Sequence, residues 1–142
     1  MTRYFISTVR YDKVMENGLT KTVNEQDLID ALSFTEAETR TIKELTPYIS
    51  GDFVVSQIVK SRITEAFFDQ YGDKFYKVKA SFIVLDEKTG IEKKSANHYL
   101  VQADTFDEAC KRFRERMKGT VVDYEINAVT ETPIVDYFPA KE

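Results

Sequence analysis

The chain contains the same sequence pattern twice, seventy-two residues apart. Residues 28–37 read LIDALSFTEA, and residues 100–109 read LVQADTFDEA. Five residues recur at matching positions: Leu28, Ala31, Phe34, Glu36 and Ala37 return as Leu100, Ala103, Phe106, Glu108 and Ala109. Because order and spacing are both kept, the pattern predicts an internal duplication, which limits the fold more than local propensities do.

The match continues on both sides of that pattern. At the same offset of 72, residues 4–6 align with residues 76–78, so Phe5 and Ser7 correspond to Lys77 and Lys79. Later in each copy the offset is one residue shorter. Shared positions are interpreted as scaffold, and we expect function to lie where the copies have diverged.

The duplication predicts one domain, residues 1–142, built of repeat one (1–72) and repeat two (73–142). A chain of 142 residues suits a single domain. Repeats of this length are too long for a solenoid, so we expect them to pack with approximate two-fold symmetry, as isologous dimers do.

Composition is that of a soluble globular protein, with 42% hydrophobic and 31% charged residues. No apolar run is long enough to span a membrane, and no signal peptide is evident. One cysteine cannot form an internal disulfide. A cytoplasmic protein that does not bind membranes is therefore expected. The net charge of −4 means that any contact with nucleic acid must use a local basic patch.

Each copy is predicted to begin with a hairpin. Strands are expected at about 3–11 and 19–31, joined through Asn17-Gly18, and in copy two at about 75–85 and 91–103. Alternating hydrophobic and β-branched residues support these strands.

A capping box follows each hairpin. Ser33 with Glu36, and Thr105 with Glu108, fit the pattern in which the hydroxyl and the carboxylate satisfy free amides at the helix start. The boxes predict helices at about 34–46 and 106–118. We expect Phe106, Ala109, Cys110, Phe113 and Met117 to face inward.

One closing strand is predicted for each copy, at about 52–63 and 123–135. Val55 and Ile58 are three residues apart, as are Ile126 and Val129, which requires either a bulge or two covered sheet faces. The sequence therefore predicts the α+β class: a tandem β-β-α-β unit forming mainly antiparallel sheet with two packed helices.

The sequence offers little for catalysis. Cys110 lies on the apolar helix stripe, where a thiol is inert, and His98 has no spaced Cys or His partners for a zinc site. Phosphate-binding loops and nucleophile elbows are absent. We therefore expect no enzyme activity, no catalytic or metal-binding residues, and no cofactor.

Two basic clusters are candidates for binding single-stranded nucleic acid, in which charges follow the backbone and aromatic rings stack on bases. The candidate residues are Lys74, Phe75, Lys77, Lys79, Lys93, Lys94 and Tyr99 on the hairpin of copy two, and Lys111, Arg112 and Arg114 on its helix. The alternative interpretation is that the lysines guard a sheet edge and the helix carries an ordinary solvated face.

The whole chain resembles an uncharacterised family, the domain of unknown function 4494, found in gut Bacteroidales and their phages. The resemblance is carried by residues 30–38 (DALSFTEAE), 85–94 (LDEKTGIEKK) and 117–120 (MKGT). It implies a bacterial or phage protein acting in the cytoplasm of a bacterium or infected host. It assigns no catalytic residues.

The favoured function is a non-catalytic protein that binds single-stranded DNA or RNA, related to replication, through the lysine and aromatic sheet face. The alternatives are a protein-interaction or dimerisation module, an inhibitor of a host protein, or a small-ligand sponge for nucleotides. A protein partner and a homodimer are both left open, as is the role of the Tyr137-Phe138 tail.

Overall fold

The computed structural model describes residues 3–67 and 71–140. Within that part of the chain the elements follow in this order: β1 (Tyr4–Val14), β2 (Thr20–Asp30), α1 (Phe34–Leu45), β3 (Phe53–Lys60), β4 (Ile63–Phe67), β5 (Lys74–Leu85), β6 (Glu92–Ala103), α2 (Phe106–Arg116), β7 (Asp123–Glu131) and β8 (Ile134–Phe138). These two helices and eight strands form two mostly antiparallel sheets. The α+β class is confirmed.

The chain divides into two compact units, each with one sheet and one helix. Unit 1 comprises the described residues up to Arg62 and those from Pro133 onwards, and its sheet has the order β3-β1-β2-β8. Unit 2 comprises the described residues between Ile63 and Thr132, and its sheet has the order β4-β6-β5-β7. The two orders are equivalent when each element is matched with the one from the other copy.

The last strand of each copy lies in the sheet of the other unit. β4 follows β3 in the chain but pairs in parallel with β6, and β8 follows β7 but pairs in parallel with β2. The prediction of one closing strand at 52–63 and 123–135 was therefore wrong, because each range contains a break and a change of sheet. The two-fold packing of the repeats stays a prediction.

The break falls at equivalent positions in the two copies. The amide of Ser61 donates to the Tyr4 carbonyl at 2.8 Å, and the amide of Thr132 donates to the Phe75 carbonyl at 2.9 Å. The second of these is followed by Pro133, which has no amide to continue a ladder. β3 and β7 end at these contacts, and the chain then continues into β4 and β8.

A bulge explains the odd spacing of apolar residues in β3 and β7. Ser56 has no partner in the β1–β3 register, and Asn127 has none in the β5–β7 register. The extra residue places Val55 and Ile58 on the same side of the sheet, which is the first of the two explanations that the sequence allowed.

The strand register corrects the alignment of the copies at their first strand. Phe5 lies opposite Ile29, and Tyr76 lies opposite Val101, so Phe5 is equivalent to Tyr76 and the offset there is 71. A shift of one residue exchanges the two faces of a strand. The residues equivalent to Lys77 and Lys79 are therefore Ile6 and Thr8, not Phe5 and Ser7.

Local signals placed the hairpins and helices well. Gly18 and Gly90 adopt positive φ in the two hairpin turns, at 83° and 70°. The amide of Glu36 donates to the Ser33 hydroxyl, and that of Glu108 to the Thr105 hydroxyl, both at 3.1 Å. The return contact differs from the expected box, because Glu36 accepts from the Leu32 amide and Glu108 pairs with Arg112.

One face of each sheet packs against its helix. In unit 2 the core contains the buried residues Tyr76, Val78, Tyr99, Val101, Ala109, Phe113 and Met117. Phe113 is fully buried, and its ring lies 5.2 Å from Tyr99 and 5.9 Å from Tyr124. The predicted inward stripe of α2 is confirmed except at Phe106, which is 52% exposed.

Replacing Phe113 with alanine should destabilise the protein by about 3–5 kcal/mol, because it empties the contact between α2 and its sheet. Phe106→Ala, at the half-exposed start of the same helix, should cost far less. Urea unfolding followed by circular dichroism measures both. Equal losses would show that Phe113 does not anchor the helix.

Candidate functional site

Lys77 and Lys79 form a small basic patch on the sheet face of unit 2 that points away from α2. They alternate along β5 with the core residues Tyr76, Val78 and Ala80, and both are exposed. No ion pair to either lysine is found among the described residues. His98 lies directly opposite Lys79 on β6. We call Lys77 and Lys79 the lysine face.

Two other candidate lysines of unit 2 are neutralised by acidic side chains. The Nζ atom of Lys74 lies 3.3 Å from Glu131, and that of Lys94 lies 2.8 Å from Glu125. Both carboxylates are on β7, the strand next to β5. These acids reduce the field that a nucleic acid would meet, and both pairs are solvent-exposed and therefore individually weak.

The aromatic part of the expected nucleic-acid site belongs to the core instead. Phe75 is 3% exposed and Tyr99 is 6% exposed. The Tyr99 ring stacks on Phe67 with 5.5 Å between ring centroids. Neither ring is accessible for stacking on a base, so both leave the candidate site.

The remaining basic candidates do not join the lysine face. Lys93 lies opposite Val84, which places it on the other side of the hairpin. Lys111 and Arg114 are exposed on α2. Arg112 is an anchor: its guanidinium pairs with Glu108 and donates to the carbonyl of Gln102 at 2.7 Å.

A groove lies between α1 and β3 in unit 1. Its helical wall is the stripe Phe34, Glu38, Ile42 and Thr46, spaced four residues apart. Phe34 is 48% exposed and Ile42 is 45% exposed, which is unusual for large apolar side chains on a helix that packs on a sheet.

The floor of the groove is the helix-facing side of β3. Phe53, Val55 and Ile58 are each half-buried there. A cleft of about 560 Å³ beside Phe53 adjoins one of about 350 Å³ beside Ile58, and the two share Glu38 and Val55. We call this surface the α1–β3 groove and define it by Phe34, Glu38, Ile42, Phe53, Val55 and Ile58.

The helix-to-sheet contact of unit 1 is polar where that of unit 2 is aromatic. Ser7, Asp27 and Thr41 occupy the positions equivalent to Val78, Tyr99 and Phe113. All three polar residues are buried, with 0%, 3% and 0% of their surfaces exposed. We call Ser7, Asp27 and Thr41 the buried polar trio.

Hydrogen bonding within this trio has a defined direction. The Thr41 hydroxyl donates to the Ala37 carbonyl at 2.7 Å, so it must accept from the Ser7 hydroxyl, which lies 2.7 Å away. Both hydroxyl protons are thereby used. No hydrogen bond to the Asp27 carboxyl is found within residues 3–67 and 71–140.

The Asp27 carboxyl is surrounded by conditions that disfavour its charge. Burial first, then the carboxylates of Asp136 on β8 and Glu25 on β2, raise the pKa of Asp27 to about 7. Asp136 lies directly beside Asp27 in the parallel β2–β8 register. Glu25 itself accepts a hydrogen bond from Tyr11 at 2.8 Å.

Sequence reasoning missed both the groove and the trio. Phe34, Glu38 and Ile42 are spaced four residues apart in the sequence, but the capping box indicates only where the helix begins and not which of its faces is exposed. The trio was hidden by the incorrect first-strand alignment, which matched Ser7 with Lys79 instead of Val78. With the correct offset, the polar residues appear at core positions.

The buried Asp27 should make the protein less stable as pH rises. The folded state keeps a proton that the unfolded state loses above its usual pKa near 4, so the free energy of unfolding falls between about pH 4 and pH 7. The total loss is on the order of 4 kcal/mol, at about 1.4 kcal/mol per pH unit.

Asp27→Asn should remove this decline, which urea unfolding at several pH values between 4 and 8 measures. Glu125→Gln, at an exposed carboxylate on β7, is the control and should keep the wild-type slope. An unchanged slope in the Asp27→Asn variant would contradict the assignment of the titration to Asp27.

Comparisons with known proteins place the chain in a family without assigning it an activity. No curated protein and no solved structure matches the chain. One family model, described as Domain of unknown function (DUF4494), matches residues 3–140. Because that match covers nearly the whole sequence, the chain belongs to this DUF4494 family.

Proposed function

We propose that the protein is a non-catalytic interaction module that binds a protein partner in the α1–β3 groove. The observation that carries this proposal is the exposed apolar wall of α1, where nearly half of the surface of both Phe34 and Ile42 faces solvent beside an apolar strand. Exposed apolar side chains grouped in a groove are typical of protein-binding sites.

The divergence of the two copies supports the same surface. Ile42 is equivalent to Arg114, which is an ordinary exposed cation on α2. A helix position that tolerates arginine in one copy does not require isoleucine for folding in the other. An apolar residue kept at such a position gains free energy only when something covers it.

The setting that we propose for this interaction is the cytoplasm of a bacterium or a phage-infected cell, as the family resemblance implies. Within residues 3–67 and 71–140, no helix is long and apolar enough to cross a membrane. The regulatory or inhibitory consequence of binding would depend on the partner.

Ile42→Arg should reduce partner binding by about tenfold or more, because it places a charge in the apolar groove while copying the residue of the other unit. Tagged protein recovers its partner from cells of the native host, and quantitative mass spectrometry measures the yield. Val84→Arg, at an apolar position 51% exposed in unit 2, is the matched control. Equal recovery with both variants would contradict this use of the groove.

A second candidate is binding of single-stranded nucleic acid. It is favoured by Lys77 and Lys79, which are exposed and have no ion pair within residues 3–67 and 71–140. Two lysines supply few phosphate contacts, and the nearby acids and buried rings make this surface weaker than the sequence indicated. Any binding would be electrostatic, without base stacking from Phe75 or Tyr99.

Replacing both Lys77 and Lys79 with glutamate should abolish binding of a fluorescent single-stranded oligonucleotide at low salt, because phosphate contacts are strongest there. Fluorescence polarisation measures this. Lys93→Glu, on the opposite side of the hairpin, should bind as the wild type does. Absence of wild-type binding at low salt would eliminate this second candidate.

A further inference from the structure

β3 is an edge strand that has a bulge but lacks the charges and prolines that discourage pairing with a further strand. Among the residues that the structure describes, it is hydrogen-bonded on one side only, to β1, in the sheet order β3-β1-β2-β8. Its sequence FVVSQIVK has no charge before Lys60 and no proline or glycine. Edge strands normally carry charges or prolines that discourage addition of a further strand.

The equivalent edge strand of unit 2 carries that protection. β7 reads DYEINAVTE and contains Asp123, Glu125 and Glu131. Both strands have their bulge at the equivalent residue, Ser56 in β3 and Asn127 in β7, so the bulge does not account for the difference. The same fold element is guarded in one copy and open in the other.

The open edge adjoins the apolar groove, so an added strand would have somewhere to place its side chains. Phe53, Val55 and Ile58 face the helix, and side chains of a neighbouring strand would follow the same alternation. Val54 and Val59 are exposed on the opposite side of β3, at 62% and 40%. An incoming strand therefore meets apolar surface on both of its faces.

The charge of the groove is one-sided. Glu38 and Asp52 line it, and no lysine, arginine or histidine is among the residues that form the two clefts. Lys60, at the far end of β3, lies 5.8 Å above the Phe34 ring and is already engaged there. A cationic side chain on the occupant would complement the groove.

We propose, building on the proposed function, that the occupant is an extended segment of a partner protein that adds to β3 as a fifth strand of the unit 1 sheet. On its groove-facing side the residues that cover Phe53 and Val55 are apolar, and a lysine or arginine on that same side lies beside Glu38. Main-chain hydrogen bonds supply affinity in this mode, and the groove supplies selectivity.

Synthetic peptides of about nine residues test this, since roughly that length spans β3 at about 3.3 Å per residue. One peptide carries valines and one central lysine at the alternate positions that face the groove, with threonines between them. Its twin has glutamate in place of that lysine, and a third is the lysine peptide methylated at the alternate amides that face β3. Fluorescence polarisation measures affinity, and amide chemical shifts locate the peptide on β3.

The lysine peptide should bind at least about tenfold more tightly than the glutamate twin, and methylation should abolish binding by removing strand hydrogen bonds. Glu38→Lys should reverse the charge preference. Glu125→Lys on the guarded edge β7 should leave it unchanged.

Equal binding of the lysine and glutamate peptides, no binding of either, or full binding by the methylated peptide would overturn this proposal. The proposed function is tested separately by partner recovery. It fails only when the Ile42→Arg protein recovers as much native partner as the Val84→Arg protein does. A groove that binds its partner as a helix would satisfy the Ile42 test and fail the peptide test.

Discussion

The packing of each helix on its sheet depends on one buried helix residue, and this residue differs between the two units. In unit 2 this position is Phe113, whose ring contacts the aromatic residues of β4, β6 and β7. In unit 1 it is Thr41, whose hydroxyl is used within its own helix and by Ser7. A threonine cannot reach the edge strand as a phenylalanine does, so less side-chain volume joins α1 to β3. The α1–β3 groove runs along the neighbouring helix stripe of Phe34, Glu38, Ile42 and Thr46.

Local interactions made much of the fold predictable from sequence. The hydroxyl caps at Ser33 and Thr105 and the glycines at the hairpin turns act within a few residues, so their patterns are readable without tertiary structure. The pairing partners of β4 and β8 could not be predicted in this way. Tyr137 pairs beside Leu28, more than a hundred residues earlier, and nothing in the short segment after Pro133 specifies that strand as its neighbour.

The candidate site was harder to predict because charge and exposure depend on cross-strand neighbours. Lys74 and Lys94 look as available in the sequence as Lys77 does, and only the β5–β7 pairing shows that Glu131 and Glu125 face them. Register has the same effect on aromatic residues. Phe75 and Tyr76 are adjacent in the chain and point to opposite faces, yet both are buried, so alternation alone could not identify an accessible ring.

The buried polar trio also fixes the position of α1, which forms one wall of the α1–β3 groove. Aromatic packing tolerates small sliding movements, whereas the hydrogen bonds from Ser7 to Thr41 and from Thr41 to Ala37 require short distances and fixed directions. Arg40 adds a second fixed point, because it donates to the carbonyls of Asp30 and Pro139. α1 is thus held to β1, β2 and the end of β8 on its buried side, while its stripe of Phe34, Glu38 and Ile42 lines the groove. These hydrogen bonds fix the distance of α1 from the sheet, and a fixed distance is the preorganisation that the proposed strand binding needs.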